Sequence, residues 1–190
     1  MTANAQGVVQ SNEFSFKLAT SGSELYLGGA DSALYTGSIE FHPTSLERTF
    51  WQLTGAAVVV DGNEVVQGFD TIIDTGTSIM YGPADEVGYF YAAIPGSSLL
   101  VGQEGFYTYP CNSLFDVGFT WGGKTWPISS DKYVHGAACC MLHTGLGGVL
   151  TVNWPCPSFN LGFTDDGRCV GALAGEDLGL GSQIWVLGDR

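Results

Sequence analysis

The chain has 190 residues, of which 45% are hydrophobic and 28 are glycine, and this length can bury a sizeable core in one compact unit. Its formal net charge of -13 comes from 19 acidic and 6 basic residues, so the chain would repel nucleic acid and anionic membranes, and neither is an expected partner. No apolar run approaches the roughly 20 residues of a membrane span, and the first ten residues lack the basic and apolar regions of a signal peptide.

The first half of the chain has the patterns of an all-β protein. Residues 24–43, ELYLGGADSALYTGSIEFHP, alternate apolar and polar positions around glycine-rich turns. Residues 56–66, AAVVVDGNEVV, place Asp61 and Gly62 between two β-branched runs. An Asp-Gly pair in this setting predicts a tight β-hairpin.

Two further elements are predicted later in the chain. Residues 83–94, PADEVGYFYAAI, are the best helix candidate, with Pro83 in the first turn. Residues 119–126, FTWGGKTW, predict a second hairpin around two glycines. No linker, low-complexity tract or fixed repeat interrupts the chain, which indicates one domain or one lobe of a larger protein.

The segment 72–83, IIDTGTSIMYGP, is the strongest chemical signal in the sequence. Asp74 follows an apolar strand pattern, and Thr75 and Gly76 must then turn sharply. Gly76 permits a close approach of the backbone to a substrate. The hydroxyls of Thr75 and Thr77 can hydrogen-bond the carboxylate and fix a neighbouring loop. Such an aspartate could activate water, although the bare tripeptide is more often a turn that closes a strand.

The longer string FDTIIDTGTSIMYGP resembles the second active-site segment of pepsin-like aspartic proteinases. The resemblance extends over residues 8–132 and 159–189 and is strongest for the fungal secreted enzymes. It implies an all-β fold with short helices, the C-terminal lobe of the bilobal pepsin-like architecture. Three other blocks follow the family's order, namely SELYLGGADSALYTGSIEFHP, TFWQLTGAAVV and WVLGD.

The resemblance also implies a role for each site residue. Asp74 matches the catalytic aspartate of the C-terminal lobe, and neither a cofactor nor a metal is implied. The implied loop-supporting residues are Thr75, Thr77, Val186, Leu187 and Gly188, and the implied substrate contacts are Ile72, Gly76, Thr77 and Phe50.

The family's mechanism requires two carboxylates that share a proton around one water. This chain has one Asp-Thr-Gly, no Asp-Ser-Gly and no recognisable flap hairpin with its tyrosine. Residues 1–19 resemble the inter-lobe region late in the family's first half. We therefore expect a C-terminal lobe, residues 20–132 and 158–189, whose N-terminal lobe is missing and which is inactive alone. The full-length parent would be secreted or vacuolar and would act on peptides or proteins.

Two alternatives remain open. In one, two copies of the chain each contribute one aspartate, as retroviral-type proteinases do. In the other, the chain is a non-catalytic lobe that binds peptides. We also expect loss of the other lobe to expose apolar strands around Ile72, Ile73 and Val186 and to favour association.

The five cysteines leave one unpaired in any complete scheme. By the resemblance, Cys111 and Cys169 occupy the positions of the family's C-lobe disulfide. The other three lie in residues 133–157, which match nothing in the family. Potential zinc ligands there fit no standard zinc spacing, so no metal is expected; they are His135, Cys139, Cys140, His143 and Cys156.

Residues 133–157 can also be interpreted as a translated intron. Codons for residues 132–134 can contain a donor-like GTACGT, and codons for residues 157–158 can contain an acceptor-like CAG. Removal of the nucleotides from the donor-like site to the acceptor-like site keeps the reading frame and joins SSDN to FNLGF. The alternative is an evolved insertion loop. The intron interpretation predicts little regular structure and few core contacts in this segment.

The remaining aromatic and acidic residues have simpler interpretations. His42 is expected to be a satisfied strand-end or loop residue, and residues 165–167 a solvated turn rather than a calcium loop. The tryptophans are expected to pack in the core or in hairpins; they are Trp51, Trp121, Trp126, Trp154 and Trp185.

Overall fold

The computed structural model describes residues 4–18, 21–35, 37–45, 50–128, 139–144, 149–153 and 159–188. Within these ranges the chain forms sixteen strands and one helix, and the strands make three sheets. The all-β prediction is therefore confirmed. The strands are β1 Glu13–Leu18, β2 Glu24–Leu27, β3 Glu40–Pro43, β4 Gln52–Val60, β5 Asn63–Ile73, β6 Met80–Gly82, β7 Ser98–Leu99, β8 Tyr107–Tyr109, β9 Val117–Thr120, β10 Trp126–Ile128, β11 Cys139–Thr144, β12 Val149–Asn153, β13 Asn160–Phe163, β14 Cys169–Gly171, β15 Leu173–Gly175 and β16 Ile184–Leu187.

The first sheet has five antiparallel strands in the order β2-β1-β11-β12-β3. Two of its strands, β11 and β12, come from residues 133–157. The expectation of little regular structure in that segment is wrong for these two strands. These two strands form because β1 and β3 offer backbone donors and acceptors to a segment whose β-branched residues favour extended structure.

The second sheet has seven strands in the order β10-β9-β4-β5-β16-β6-β15. Strands β4 and β5 form the predicted hairpin, and its turn residues Asp61 and Gly62 have φ of 49° and 79°. Both values are left-handed, as the tight turn requires. The second predicted hairpin, β9 with β10, is also present, but residues 121–125 connect it instead of two glycines. Strand β16 lies parallel to β5, and β15 lies parallel to β6.

The third sheet has four strands in the order β13-β14-β8-β7. Cys169 of β14 forms a disulfide with Cys111, which follows β8. The two sulfur atoms are 2.08 Å apart, and the two Cα atoms are 5.0 Å apart. The pairing that the family resemblance implied is thus confirmed, and it ties together two segments separated by 58 residues.

The helix α1, Ala84–Ala92, begins where the sequence predicted one. Pro83 is its N-cap, one position before the predicted first turn, because the fixed φ of proline suits the entry to a helix. The buried side chains of α1 are Val87, Phe90 and Tyr91. They join a core whose largest fully buried members also include Trp126 and Trp185.

Three of the four tryptophans that the structure describes lie in the core as predicted, whereas Trp51 is half-buried and its ring packs edge to face on Phe14. Trp121, Trp126 and Trp185 are buried. The Nε1 atom of Trp185 donates to Glu86 Oε2 at 2.6 Å, and its ring stacks on Phe69. Trp154 lies outside the described residues. The helix that the structure describes is too short to cross a membrane.

Candidate functional site

The strand β5 delivers Asp74 at a fixed point between two neighbouring strands. The amide of Ile73 donates to the carbonyl of Trp51 at 3.0 Å. One residue later, the amide of Asp74 donates to the carbonyl of Leu187, also at 3.0 Å. Because these bonds point to opposite sides of the strand, the backbone at Asp74 is held by both neighbours.

The turn after Asp74 orients its carboxylate. The amide of Gly76 donates to Oδ1 at 2.9 Å, and the hydroxyl of Thr77 donates to Oδ2 at 2.5 Å. The amide of Thr77 also donates to the carbonyl of Asp74 at 3.3 Å. Asp74 and Thr75 are half-buried, whereas Gly76 is exposed. The carboxylate is therefore oriented by its own turn and remains accessible.

Strand β16 passes directly behind this turn. Its parallel register pairs Val186 with Ile72 and Leu187 with Ile73. A side-chain carbon at Gly188 would lie 2.3 Å from the carbonyl oxygen of Thr77. Since backbone atoms cannot move aside cheaply, only glycine allows β16 to approach so closely.

The two apolar residues that were expected to contact a substrate differ in their exposure. Ile72 is 4% exposed, whereas Phe50 is 51% exposed. Phe50 lies two residues before β4, whose first residue Gln52 pairs with Ile72, two residues before Asp74. The ring of Phe50 is therefore open to solvent near the start of β4, whereas Ile72 lies buried in the strand that leads to Asp74.

The prediction that the apolar strands around Ile72, Ile73 and Val186 are exposed is wrong. Ile72, Ile73 and Val186 are all 5% exposed or less, because they lie in the middle of the seven-stranded sheet. The open apolar side chains lie elsewhere, and they include Leu25 at 53% and Leu27 at 59%.

Residues 2–149 match the family profile described as "Eukaryotic aspartyl protease". The chain belongs to this family. It is 35% identical to the aspartic protease of Phaffia rhodozyma, over 97% of this chain and 40% of that protein. It is 30% identical to pepsin A of Sus scrofa, over 97% of this chain and 42% of the relative. It is 31% identical to cathepsin D of Bos taurus, over 97% of this chain and 43% of that protein.

The fold agrees with a solved aspartic proteinase. The crystal structure of the aspartic proteinase from Irpex lacteus superposes with a TM-score of 0.64 at 16% identity. The match covers 80% of this chain and 59% of that chain. The chain spans about two-fifths of the length of the three relatives described above. These proportions agree with one lobe of a pepsin-like aspartic proteinase.

Sequence reasoning missed a second carboxylate on the same strand face. Asp70 precedes Asp74 by four residues, so the two lie about 13 Å apart along an extended strand. The Oδ2 atom of Asp70 accepts a hydrogen bond from Gln52 Nε2 at 2.8 Å. Asp70 is therefore too distant to share a proton with Asp74. The alternation of residues along β5 was the signal that could have placed both on one face.

The expectation that residues 133–157 hold no zinc stays a prediction. Among the side chains that the structure describes, no group of three or more His, Cys, Asp or Glu residues could hold a metal ion, but none of the five candidate ligands is among those side chains. Of the earlier candidates, His135 and Cys156 lie outside the described residues. The structure gives only the backbone of the strands that contain the other three.

Proposed function

We propose that this chain is the C-terminal lobe of an aspartic endopeptidase and that Asp74 is one of its two catalytic carboxylates. The observation that carries the proposal is the accessible carboxylate of Asp74, with each oxygen oriented by a donor of its own turn. The lobe comprises residues 20–132 and 158–189, and residues 133–157 are an insertion within it.

The chemistry requires a second carboxylate opposite Asp74. Two carboxylates within hydrogen-bonding distance of each other cannot both ionise, so the pair shares one proton. The ionised member takes a proton from water while the water oxygen attacks the peptide carbonyl carbon. The protonated member supplies the proton that reaches the leaving amine as the C–N bond breaks. A chain with one Asp-Thr-Gly should therefore be inactive until an amino-terminal lobe completes the pair.

The neighbouring residues have supporting roles in this proposal. Thr77 and Gly76 hold the Asp74 carboxylate and contact the substrate backbone. Thr75 fixes the facing loop of the other lobe. Phe50, whose ring is exposed just before β4, lines an apolar subsite in this proposal, and this favours peptides with bulky apolar side chains. Ile72 shapes the floor of the same subsite from its buried position.

The full-length parent acts outside the cytosol in this proposal, in a secreted or vacuolar setting. Its substrates are peptides or proteins, and no cofactor takes part. The partner that matters for catalysis is the amino-terminal lobe, since that lobe supplies the second carboxylate.

The test is cleavage of an apolar peptide at acidic pH, with and without an added amino-terminal lobe from the Phaffia rhodozyma relative. We expect no turnover by the chain alone and measurable turnover by the mixture. Asp74→Asn should abolish that turnover, because an amide cannot share the proton. Asp70→Asn is the matched control, since Asp70 lies on the same strand face but is held by Gln52.

The same assay separates the two alternatives. Turnover by the chain alone that rises with the square of its concentration and is lost in Asp74→Asn would indicate a homodimeric protease. Saturable peptide binding without turnover, even with the added lobe, would indicate a binding lobe. Either result would contradict the proposal.

The origin of residues 133–157 is a separate hypothesis. The splice-like codon possibilities motivate the intron interpretation, whereas the strands β11 and β12 count against it. Transcript reads across codons 132 and 158 test it directly. Reads that keep the segment would reject the intron, and reads that join SSDN to FNLGF would support it.

A further inference from the structure

The connection between β7 and β8 begins with an open apolar segment. Leu99 is 61% exposed and Val101 is 96% exposed, with Leu100 half-buried between them. Residues 97–103, SSLLVGQ, include no charged side chain. Gly102 follows with a left-handed φ of 86°, so the chain turns there instead of continuing as a strand. Consecutive apolar side chains are therefore presented at the surface of a turn.

Few hydrogen bonds hold this segment to the rest of the lobe. Strand β7 has two residues, and both pair with β8. The amide of Leu100 then donates to the carbonyl of Phe106 at 2.8 Å. Within the described part of the chain, the amide of Val101 has no carbonyl acceptor. The segment can therefore leave the surface by local opening, without disrupting the larger sheets.

Other exposed apolar side chains do not combine these properties. Leu114 is also exposed, but the next residue, Phe115, is buried and packs on the ring of Tyr109. Leu25 and Leu27 lie in β2, which pairs with β1 at four positions. An exposed turn of apolar residues is easier for a protease to bind than a paired strand or a buried ring.

The side chain of Arg168 clamps the start of the segment. Its Nη2 atom donates to the carbonyl of Gly96 at 2.6 Å and to Ser98 Oγ at 3.3 Å. Its Nε atom donates to Thr108 Oγ1 at 2.9 Å. Arg168 is fixed in turn by the next residue, Cys169, which forms the disulfide. One guanidinium group therefore ties the loop before β7, and β7 and β8 themselves, to the strand β14.

From these observations we propose that Leu99-Leu100-Val101 is a cleavage site for an endopeptidase whose subsites accept bulky apolar side chains, and that Arg168 limits how often the site opens. Water adds its oxygen to the carbonyl carbon of the cut bond, the C–N bond breaks, and the leaving nitrogen takes up a proton. The new ends are a carboxyl group and an amine. The chain is the substrate here, so the inference does not depend on its own proposed catalytic function.

A cut at this site would leave the two pieces paired. Strand β4 of the first piece pairs with β9 of the second, and β5 pairs with β16. The disulfide between Cys111 and Cys169 lies within the second piece, so the sheets hold the pieces together. The product is therefore a two-chain lobe.

The first experiment treats the full-length chain with pepsin A of Sus scrofa at acidic pH and assigns every cut by mass spectrometry. Among the described residues, we expect the first cut within Leu99-Leu100-Val101. Leu99→Ser with Val101→Ser should slow that cut by about tenfold or more, because apolar subsite contacts are lost. Leu114→Ser is the matched control, since Leu114 is 96% exposed outside the segment. The two pieces should elute together in size-exclusion chromatography.

A second protease at neutral pH separates local opening from acid unfolding. Trypsin cuts after basic residues, and residues 97–103 contain none. In the variant Val101→Lys we expect a tryptic cut after position 101. Tyr89→Lys is the matched control, because Tyr89 is 67% exposed but lies within α1. The helix should protect that position from trypsin.

The variant Arg168→Gln tests the clamp in both assays. The loss of the guanidinium hydrogen bonds should accelerate the pepsin cut, and the tryptic cut in Val101→Lys, by about tenfold. Lys124→Gln is the matched control, because the Nζ atom of Lys124 contacts the ring of Trp126 instead. That control should leave both rates unchanged.

Several results would overturn the proposal. A cut by neither protease would mean that the segment is closed. A cut by only one would mean that the segment is closed at neutral pH or that its apolar residues are not recognised. Cutting of Tyr89→Lys as fast as Val101→Lys would indicate general unfolding. Unchanged rates in Arg168→Gln would remove the clamp, and separation of the two pieces would remove the two-chain product.

Discussion

Gly188 packs so closely against the turn after Asp74 that a side-chain carbon added to it would lie 2.3 Å from the carbonyl oxygen of Thr77. It would also lie 2.4 Å from the carbonyl oxygen of Ile79. The strand behind the turn and the turn itself are therefore packed backbone against backbone. This contact supports the turn whose donors, Gly76 and Thr77, hold the Asp74 carboxylate.

The substitution Gly188→Ala should lower the free energy of unfolding by about 2–3 kcal/mol, because either the turn or β16 must shift. Urea unfolding followed by tryptophan fluorescence measures the change. Gly88→Ala is the control, since its added carbon would meet only Tyr107 Oη at 3.4 Å. That control should be neutral or stabilising by up to about 1 kcal/mol because alanine favours a helix. Equal effects of the two substitutions would contradict the packing argument.

Thr77→Val should misorient the Asp74 carboxylate, because it removes the hydroxyl that donates to Oδ2. We expect a loss of about 1–2 kcal/mol in unfolding free energy and loss of turnover in the assay with the added amino-terminal lobe. Thr77→Ser keeps the hydroxyl and should restore both. If the serine variant were as impaired as the valine variant, the methyl group rather than the hydroxyl would be the important part.

The chain should lose stability at alkaline pH. Burial raises the pKa of Tyr109 from 10.0 to about 12. Burial also raises the pKa of Tyr91 well above 10.0, although its hydrogen bond to the carbonyl of Leu173 acts in the opposite direction. Since these folded-state pKa values lie above the unfolded value, the folded chain holds protons that the unfolded chain releases. Stability is therefore complete below about pH 10 and falls as pH rises towards 12.

Urea midpoints measured from pH 8 to 11 check this expectation. Tyr109→Phe should flatten part of the decline, because phenylalanine has no proton to lose. Tyr26→Phe, at a side chain that is 41% exposed, should leave the decline unchanged. A decline equally steep in Tyr109→Phe and in the parent chain would show that Tyr109 does not contribute.

Self-association should occur through the open apolar edge of the five-stranded sheet. Strand β2 is an edge strand, and Leu25 and Leu27 on it are 53% and 59% exposed. Exposed apolar edges favour association. The net charge of -13 opposes it at neutral pH, so acidification should promote it as carboxylates take up protons.

Sedimentation velocity at neutral and acidic pH measures this association. Leu25→Lys with Leu27→Lys should reduce it. Val101→Lys is the control, because Val101 is 96% exposed but lies outside β2. A parent chain that stays monomeric at both pH values would contradict the expectation.

Local features of the fold were predictable from the sequence because they depend on neighbouring residues. The turn at Asp61 and Gly62 needs two left-handed residues, and the sequence supplies an Asp-Gly pair between β-branched runs. The helix follows Pro83 because proline favours a helix entry. The position of Asp74 at the end of an apolar strand was equally readable. The pairing of Cys111 with Cys169 was anticipated only through the family resemblance.

Tertiary structure alone decided the arrangement of distant segments. The parallel approach of β16 to β5 depends on backbone contacts more than a hundred residues apart, and no local pattern encodes them. The same holds for β11 and β12, which were expected to lack structure but complete a sheet with β1 and β3. Ile72, expected to be exposed, is buried because its exposure depends on strands that join from elsewhere in the chain. Local sequence specifies turns, caps and alternation, whereas burial and strand order follow from which distant edges meet.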